Sequence, residues 1–360
     1  MQERQLIRRR LAGAGSAAAR IIGTVSVLFT LSCAVPLFDY GGTSYRKPPT
    51  AEQLREQERR VRELAGKLRD TDWYAREQAA EELGRIKNPK AVPFLLPALR
   101  DKECMVRSEA ARSLRAIAEA NPKSPEVLGA IPVFSRLLRD EDFTVREEML
   151  AALVKIGGPA VPELSRALGY ADVHSRANLI DALAEIGEPA VWALVEALRY
   201  GDTKWKAAWK LRDIGEPAVP ALARAFEDMN PAAGSILLEM AKYDYSGKSK
   251  PAVVAAFAGA LKRFSAQVQK EAARSLGEIG DKRAVPALVG ALQDMDGNVR
   301  IEIVRALGKI GDKSALPALV GLAEKDPDES VRKAAKEVIR YMKMMWWMSE
   351  AGHPGSMPRQ

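Results

Sequence analysis

Residues 284–311 read AVPALVGALQDMDGNVRIEIVRALGKIG, and most of the chain rewrites this stretch. Val285, Leu288, Val289 and Leu292 recur at i, i+3, i+4 and i+7, and Val299, Ile303, Leu307 and Ile310 do much the same, so each half predicts a helix with one apolar face. Between them, residues 293–298 (QDMDGN) carry the Asp, Gly and Asn of a helix stop followed by a new N-cap. Gly311 closes the second helix, because glycine accepts the left-handed conformation of a C-terminal cap. The unit is a helical hairpin of about thirty residues.

Aligned on the residue after Val299, the second helices place Arg76, Arg107, Arg146, Arg176, Lys204, Gln269, Arg300 and Arg332 in register, at spacings of 31, 39, 30, 28, 65, 31 and 32. The 39-residue step holds a loop insertion at residues 121–125. The 65-residue step is two periods, with a degenerate unit at 231–264 whose helices are expected at 232–242 and 251–264. First helices carry a proline in the first turn, where its missing N–H costs nothing, at Pro93, Pro132, Pro162, Pro220, Pro286 and Pro317; Trp192 and Val254 break the pattern.

A thirty-residue period with proline, arginine and glycine at fixed offsets resembles the HEAT-repeat family, and within it the short HEAT-like repeats of the phycobilisome-lyase type. The resemblance covers about residues 70–342. It implies an all-α fold, an α-solenoid of about nine stacked hairpins across residues 71–348, with residues such as Leu307 in the core. It also implies that the register arginines Arg76, Arg107, Arg146, Arg176, Arg300 and Arg332 form a structural inter-repeat ladder, bonding acids or carbonyls of the adjacent turn. Loop acids stand ready at Asp101, Asp140, Asp172, Asp202, Asp228, Asp294 and Asp326.

Ahead of the repeats, residues 51–70 predict a capping helix. Thr50 and Gln53 form a capping box, and Leu54, Val61, Leu64 and Leu68 share one face. Residues 1–32 have the order of an export signal, with Arg8, Arg9, Arg10 and Arg20 before an apolar run from Ile21 to Leu31. The tetrapeptide at 30–33 (TLSC) resembles a bacterial lipoprotein box and makes Cys33 the lipidation candidate, although Thr30 departs from the usual aliphatic residue. An uncleaved anchor over residues 21–38 is the alternative. Residues 33–50 read as a tether with Gly41, Gly42, Pro48 and Pro49, and residues 349–360 as a disordered tail.

The net charge of +8 includes five arginines against Glu3 in residues 1–32, which leaves 8 − 4 = +4 for the remainder. So mild an excess does not point to nucleic acid. With Cys33 lipidated, Cys104 is alone and is expected as a small buried hydrophobe.

No catalytic, cofactor or metal constellation emerges. Only His174 and His353 are present, too few for a di-iron site like that of the hydroxylases resembling deoxyhypusine hydroxylase. The adjacent pairs Glu81-Glu82 and Glu147-Glu148 diverge by about 100° on a helix and read as solvated faces.

Departures from the consensus carry more information. Trp205 and Trp209 lie i, i+4 on a second helix, at positions held elsewhere by Glu77 and Glu81 or Lys270 and Arg274, with Lys206 and Lys210 around them. They are expected either to grip a partner or to fill a gap left by the degenerate unit. The run at 344–348 (MMWWM) is expected to fold over the last hairpin or to bind an apolar partner.

The chain therefore reads as a non-enzymatic protein-binding scaffold, exported and membrane-anchored. First helices are expected to build the concave face, with Arg136, Glu163, Arg166, Trp192, Glu196 and Arg224 as contact candidates. A tetrapyrrole lyase or chromophore-protein chaperone is the alternative that the resemblance suggests, and a HEAT-like nucleic-acid-binding protein a second.

Overall fold

The computed structural model describes residues 50–244, 247–263, 265–293 and 296–350. The expected signal, anchor and tether up to residue 49, the lipidation candidate Cys33 and the tail from residue 351 lie outside the described residues, as do Asp294 and Phe264. Among the described residues no helix is long and apolar enough to cross a membrane.

The described residues form eighteen α-helices and no strand. In chain order they are α1 (Ala51–Lys67), α2 (Trp73–Ile86), α3 (Val92–Ala98), α4 (Cys104–Ala120), α5 (Pro125–Arg136), α6 (Phe143–Ile156), α7 (Val161–Leu168), α8 (Val173–Ile186) and α9 (Val191–Ala197). They continue as α10 (Lys204–Ile214), α11 (Val219–Glu227), α12 (Pro231–Lys242), α13 (Ser249–Ala260), α14 (Ala266–Ile279), α15 (Val285–Gly290), α16 (Gly297–Ile310), α17 (Leu316–Lys325) and α18 (Glu329–Glu350). Odd-numbered helices form one row and even-numbered helices the other, in an α-solenoid whose single core runs between the rows.

The turns follow from local chemistry. Asp72, Asp142, Asp172 and Asp296 accept N-cap hydrogen bonds at the starts of α2, α6, α8 and α16. Gly157, Gly187 and Gly215 end α6, α8 and α10 at φ near +77°, a conformation that disfavours any side chain. Leu307, like Leu114 and Leu164, is fully buried.

Even-numbered helices form the tighter row at both ends of the array. A Cβ on Gly84 would stand 2.9 Å from the Cα of Ser113 in α4, and one on Gly277 only 2.8 Å from the Cα of Ala306 in α16. The first helices α13, α15 and α17 make no comparable stack. Even-numbered helices therefore approach one another most closely at both ends of the array. From α6 to α14 the stacking of even-numbered helices is looser than at either end, at α6–α8 as at the three pairs that follow.

Four corrections follow. Leu54 is exposed, since the first turns of α1 extend past α2, and only Val61 and Leu64 of that face are fully buried. Cys104 is exposed rather than buried, because it is the first residue of α4, where the chain turns through solvent. The pairs at Glu81-Glu82 and Glu147-Glu148 are not simply solvated: Glu82 binds Arg60 of α1 at 2.6 Å and Glu148 binds Arg115 of α4 at 2.5 Å. Helix α18 continues through Glu350 rather than ending at 348.

Candidate functional site

The register arginines sit where the loops between consecutive hairpins meet. Arg76 holds Asp101 of the next loop through Nε at 2.7 Å and Nη2 at 2.8 Å, while Nη1 donates to the carbonyls of Asp70 and Thr71. Arg300 holds Asp326 through Nε at 2.8 Å and Nη2 at 2.9 Å. Arg176 reaches Asp202 through Nη1, donates to the carbonyls of Leu168 and Ala171, and lies 4.4 Å from the Tyr200 ring centroid. These bonds to charged guanidinium groups hold the Asp101 carboxyl below its ordinary range; at Asp326 burial pushes upward and the hydrogen bonds from Arg300 and the Asp328 amide prevail.

The other three register arginines bond mainly to carbonyls. Arg107 donates to the carbonyls of Asp101 and Lys102 and is only 3.9 and 4.0 Å from Glu141 and Asp142, the loop insertion at 121–125 having altered the step. Arg332 donates to the carbonyls of Asp326 and Pro327. Arg146 donates through Nη1 to the carbonyls of Asp140 and Glu141, at 2.6 and 3.0 Å. Gln269 also meets carbonyls, those of Leu261 and Arg263.

Trp205 and Trp209 stand on the solvent side of α10, 56% and 57% exposed, with their rings edge to face at a centroid distance of 5.6 Å. They do not fill the gap of the degenerate unit. That space belongs to Phe226 and Phe257, both buried and edge to face at 5.3 Å, with Gly234 of α12 pressed against the Phe226 ring. Beside the tryptophans, Lys206 and Lys210 both reach Asp181 of α8, at 2.6 and 3.1 Å. Burial raises the Asp181 pKa, but the two lysines outweigh it and the net shift is downward. The ion pairs pin the helix that carries the indole pair.

Odd-numbered helices hold the remaining candidates, so the structure divides the set between two faces. Trp192 is exposed, and the Arg224 guanidinium lies 5.8 Å from its ring centroid. Arg166 pairs with Glu163 within α7 at 2.6 Å, Glu196 accepts from Ser165 and Arg199, and Arg136 bonds back to the Pro132 carbonyl. Most of these charges are engaged by near neighbours on their own row.

Sequence reasoning passed over the loosened α6–α8 interface. A cleft of about 450 Å³ opens there, lined in part by Arg139, Arg146, Leu150, Tyr170, Ala171 and Leu179, with Arg139 stacked 3.4 Å over the Tyr170 ring centroid. A shallower groove continues it along the two helices past Asn178 to Asp181 and Glu185. The sequence carried no clear signal of it, since Ile303 and Val304 stand in a tightly stacked helix at the register positions of Met149 and Leu150, and Asp172 stands at the 26-residue offset after Arg146. Among the described residues no group of three His, Cys, Asp or Glu side chains is placed to hold a metal ion.

A family model for HEAT repeats matches residues 61–131, 130–205 and 253–340. No curated protein matches the sequence. Among solved structures, the chain is similar to an engineered protein at 23% identity, over 81% of this chain and 92% of that one, with a TM-score of 0.34. Human deoxyhypusine hydroxylase matches at 23% identity, over 81% and 98%, with a TM-score of 0.30. The complex of CpcE and CpcF of phycocyanin lyase from Nostoc matches at 18% identity, over 86% and 100%, also with a TM-score of 0.30. With a repeating arginine register, an all-helical two-row stack and a family model matching well over half of its length, this chain belongs to the HEAT-repeat family.

Proposed function

We propose that this chain is a non-enzymatic scaffold that holds a protein partner on the face of its even-numbered helices, and that residues 1–33 export it and anchor it to a membrane surface through Cys33. The observation that carries the first part is the Trp205–Trp209 pair. Two large aromatics left more than half exposed, edge to face, on a helix pinned by the Asp181 ion pairs, form a rigid contact with little conformational entropy to lose. Charges of both signs around the pair favour a protein over a polyanion.

The test is cross-linking of the full chain in its native cell, with the Trp205→Ala/Trp209→Ala variant beside it. Both side chains are exposed, so the variant should keep its stability within about 0.5 kcal/mol and lose its cross-linked partner at least about tenfold. An identical partner at undiminished yield would refute the contact surface. Fractionation tests the anchor: Cys33→Ser should move the chain from the membrane to the soluble fraction, and a wild-type chain found soluble with Met1 intact would exclude export.

A further inference from the structure

We infer that the cleft between α6 and α8 receives a single carboxylate, an Asp or Glu side chain of a partner segment, with Arg146 holding it as Arg76, Arg176 and Arg300 hold the aspartates of their own loops. This rests on the scaffold reading for the existence of a partner, and adds to it a site and its chemistry.

The three completed pairs define what a register arginine does. In each, the guanidinium donates to a carboxylate 25 or 26 residues further on, and Arg76 and Arg176 also donate to carbonyls of their own turn. At the 26-residue offset after Arg146 stands Asp172, but it caps α8 through Ser175 and makes no ion pair with Arg146, and Ala171 at the 25-residue offset has no acceptor to offer. Arg146 uses Nη1 on two carbonyls, and among the described residues no carboxylate lies within the 4.0 Å of an ion pair. Arg332 also lacks a carboxylate, but no described repeat follows it. Arg146 lies inside the array and lines the cleft.

The surroundings select the occupant. Leu138, Leu150 and Leu179 supply apolar surface, and the Tyr170–Arg139 stack forms a wall, so the cleft suits a carboxylate on an aliphatic stem with apolar neighbours. Asp140, Glu147 and Asp172 also face it. Asp140 already accepts from the Asp142 amide at 3.0 Å, and Asp172 from the amide and hydroxyl of Ser175 at 2.9 and 3.0 Å. Comparable acids flank a completed pair, since Arg300 holds Asp326 with Asp296 and Asp328 close by. One added negative charge is therefore accommodated, whereas a dianion or an acidic run is repelled.

The experiment follows polarisation of a fluorescein-labelled peptide, Leu-Leu-Asp-Leu-Leu-amide, on the full chain, beside its Asn counterpart and with inorganic phosphate as competitor. The Asp peptide should bind saturably and the Asn peptide at least about tenfold more weakly, since a charge-assisted bidentate contact is lost. Ala171→Asp supplies the carboxylate in cis, so it should raise the melting temperature and weaken the peptide at least about tenfold. Arg146→Gln should weaken it similarly. Equal binding of the two peptides, no saturable binding, undiminished binding to Ala171→Asp, or displacement by millimolar phosphate would each overturn the proposal. Trp205→Ala/Trp209→Ala should leave peptide affinity unchanged. Loss of the peptide site with a tryptophan-dependent partner intact would thus remove the carboxylate site alone, and the converse would remove the scaffold reading.

Discussion

Arg300 and Asp326 show what one residue pair does across a repeat boundary. The Asp326 side chain is only 2% exposed, yet both its oxygens are held by one guanidinium and one also receives the Asp328 amide. Such a pair fixes the geometry of stacking more than it adds stability, because desolvation offsets much of the attraction. Its pH dependence is nevertheless predictable. Hydrogen bonds to Arg76 lower Asp101; at Asp326 burial opposes the same effect without cancelling it; and Arg283 brings Asp281 down to about 2 from an ordinary 3.8. A carboxylate with a lower pKa in the folded state contributes stability that is fully present above its unfolded pKa and is lost as pH falls through the folded value. The urea midpoint should therefore hold from pH 7 to 5 and fall between about pH 4 and 2, and Asp101→Asn should flatten that fall. A midpoint that is constant from pH 4 to 2 would contradict the assignment. The register arginines were readable from their fixed offsets. Which acceptor each one reaches was not, because that depends on the loop insertion before α5 and on Asp172 being taken up as the cap of α8.

Element packing turns on the side chains at the contact between successive second helices. At α14–α16 the backbone of one helix lies against the other, and a Cβ at Gly277 would meet the Ala306 Cα at 2.8 Å. Gly277→Ala must push the helices apart, and is expected to cost about 1–3 kcal/mol despite the better helix propensity of alanine. Gly259 on α13 has nothing within 4 Å of such a Cβ, so Gly259→Ala should stabilise by up to about 1 kcal/mol. Equilibrium urea unfolding of the two variants checks the opposite signs, and equal effects would mean that α14 and α16 are not in close contact. Helix existence was legible in periodicity because burial of one face dictates it. Close approach of second helices was not, since it depends on which of two facing helices carries the small residue, and register alone left open whether Trp205 and Trp209 pack or stand exposed.

At the scale of the molecule, each hairpin contacts only its neighbours, so the ends of the array are where an unmet apolar face is most costly. Helix α1 meets this at one end with a charged outer face and ion pairs from Arg60 to Glu82 and from Lys90 back to Glu58. The other end uses a longer last helix. Trp346 of α18 is half-buried against the core, donates Nε1–H to the Gly311 carbonyl at 3.1 Å, and lies 5.4 Å beneath the Lys313 ammonium. The Met/Trp run thus reaches back to the cap of α16 and secures the final pair, while Met344, Met345 and Met348 remain exposed. Trp346→Ala removes that hydrogen bond and a large apolar contact at a site coupled only to the last repeats. Hydrogen exchange should therefore accelerate in α16, α17 and α18, with local opening easier by about 1–3 kcal/mol, while α2 to α6 keep their protection. Acceleration spread evenly from α2 to α18 would mean that the array unfolds as one cooperative unit rather than by nearest-neighbour coupling.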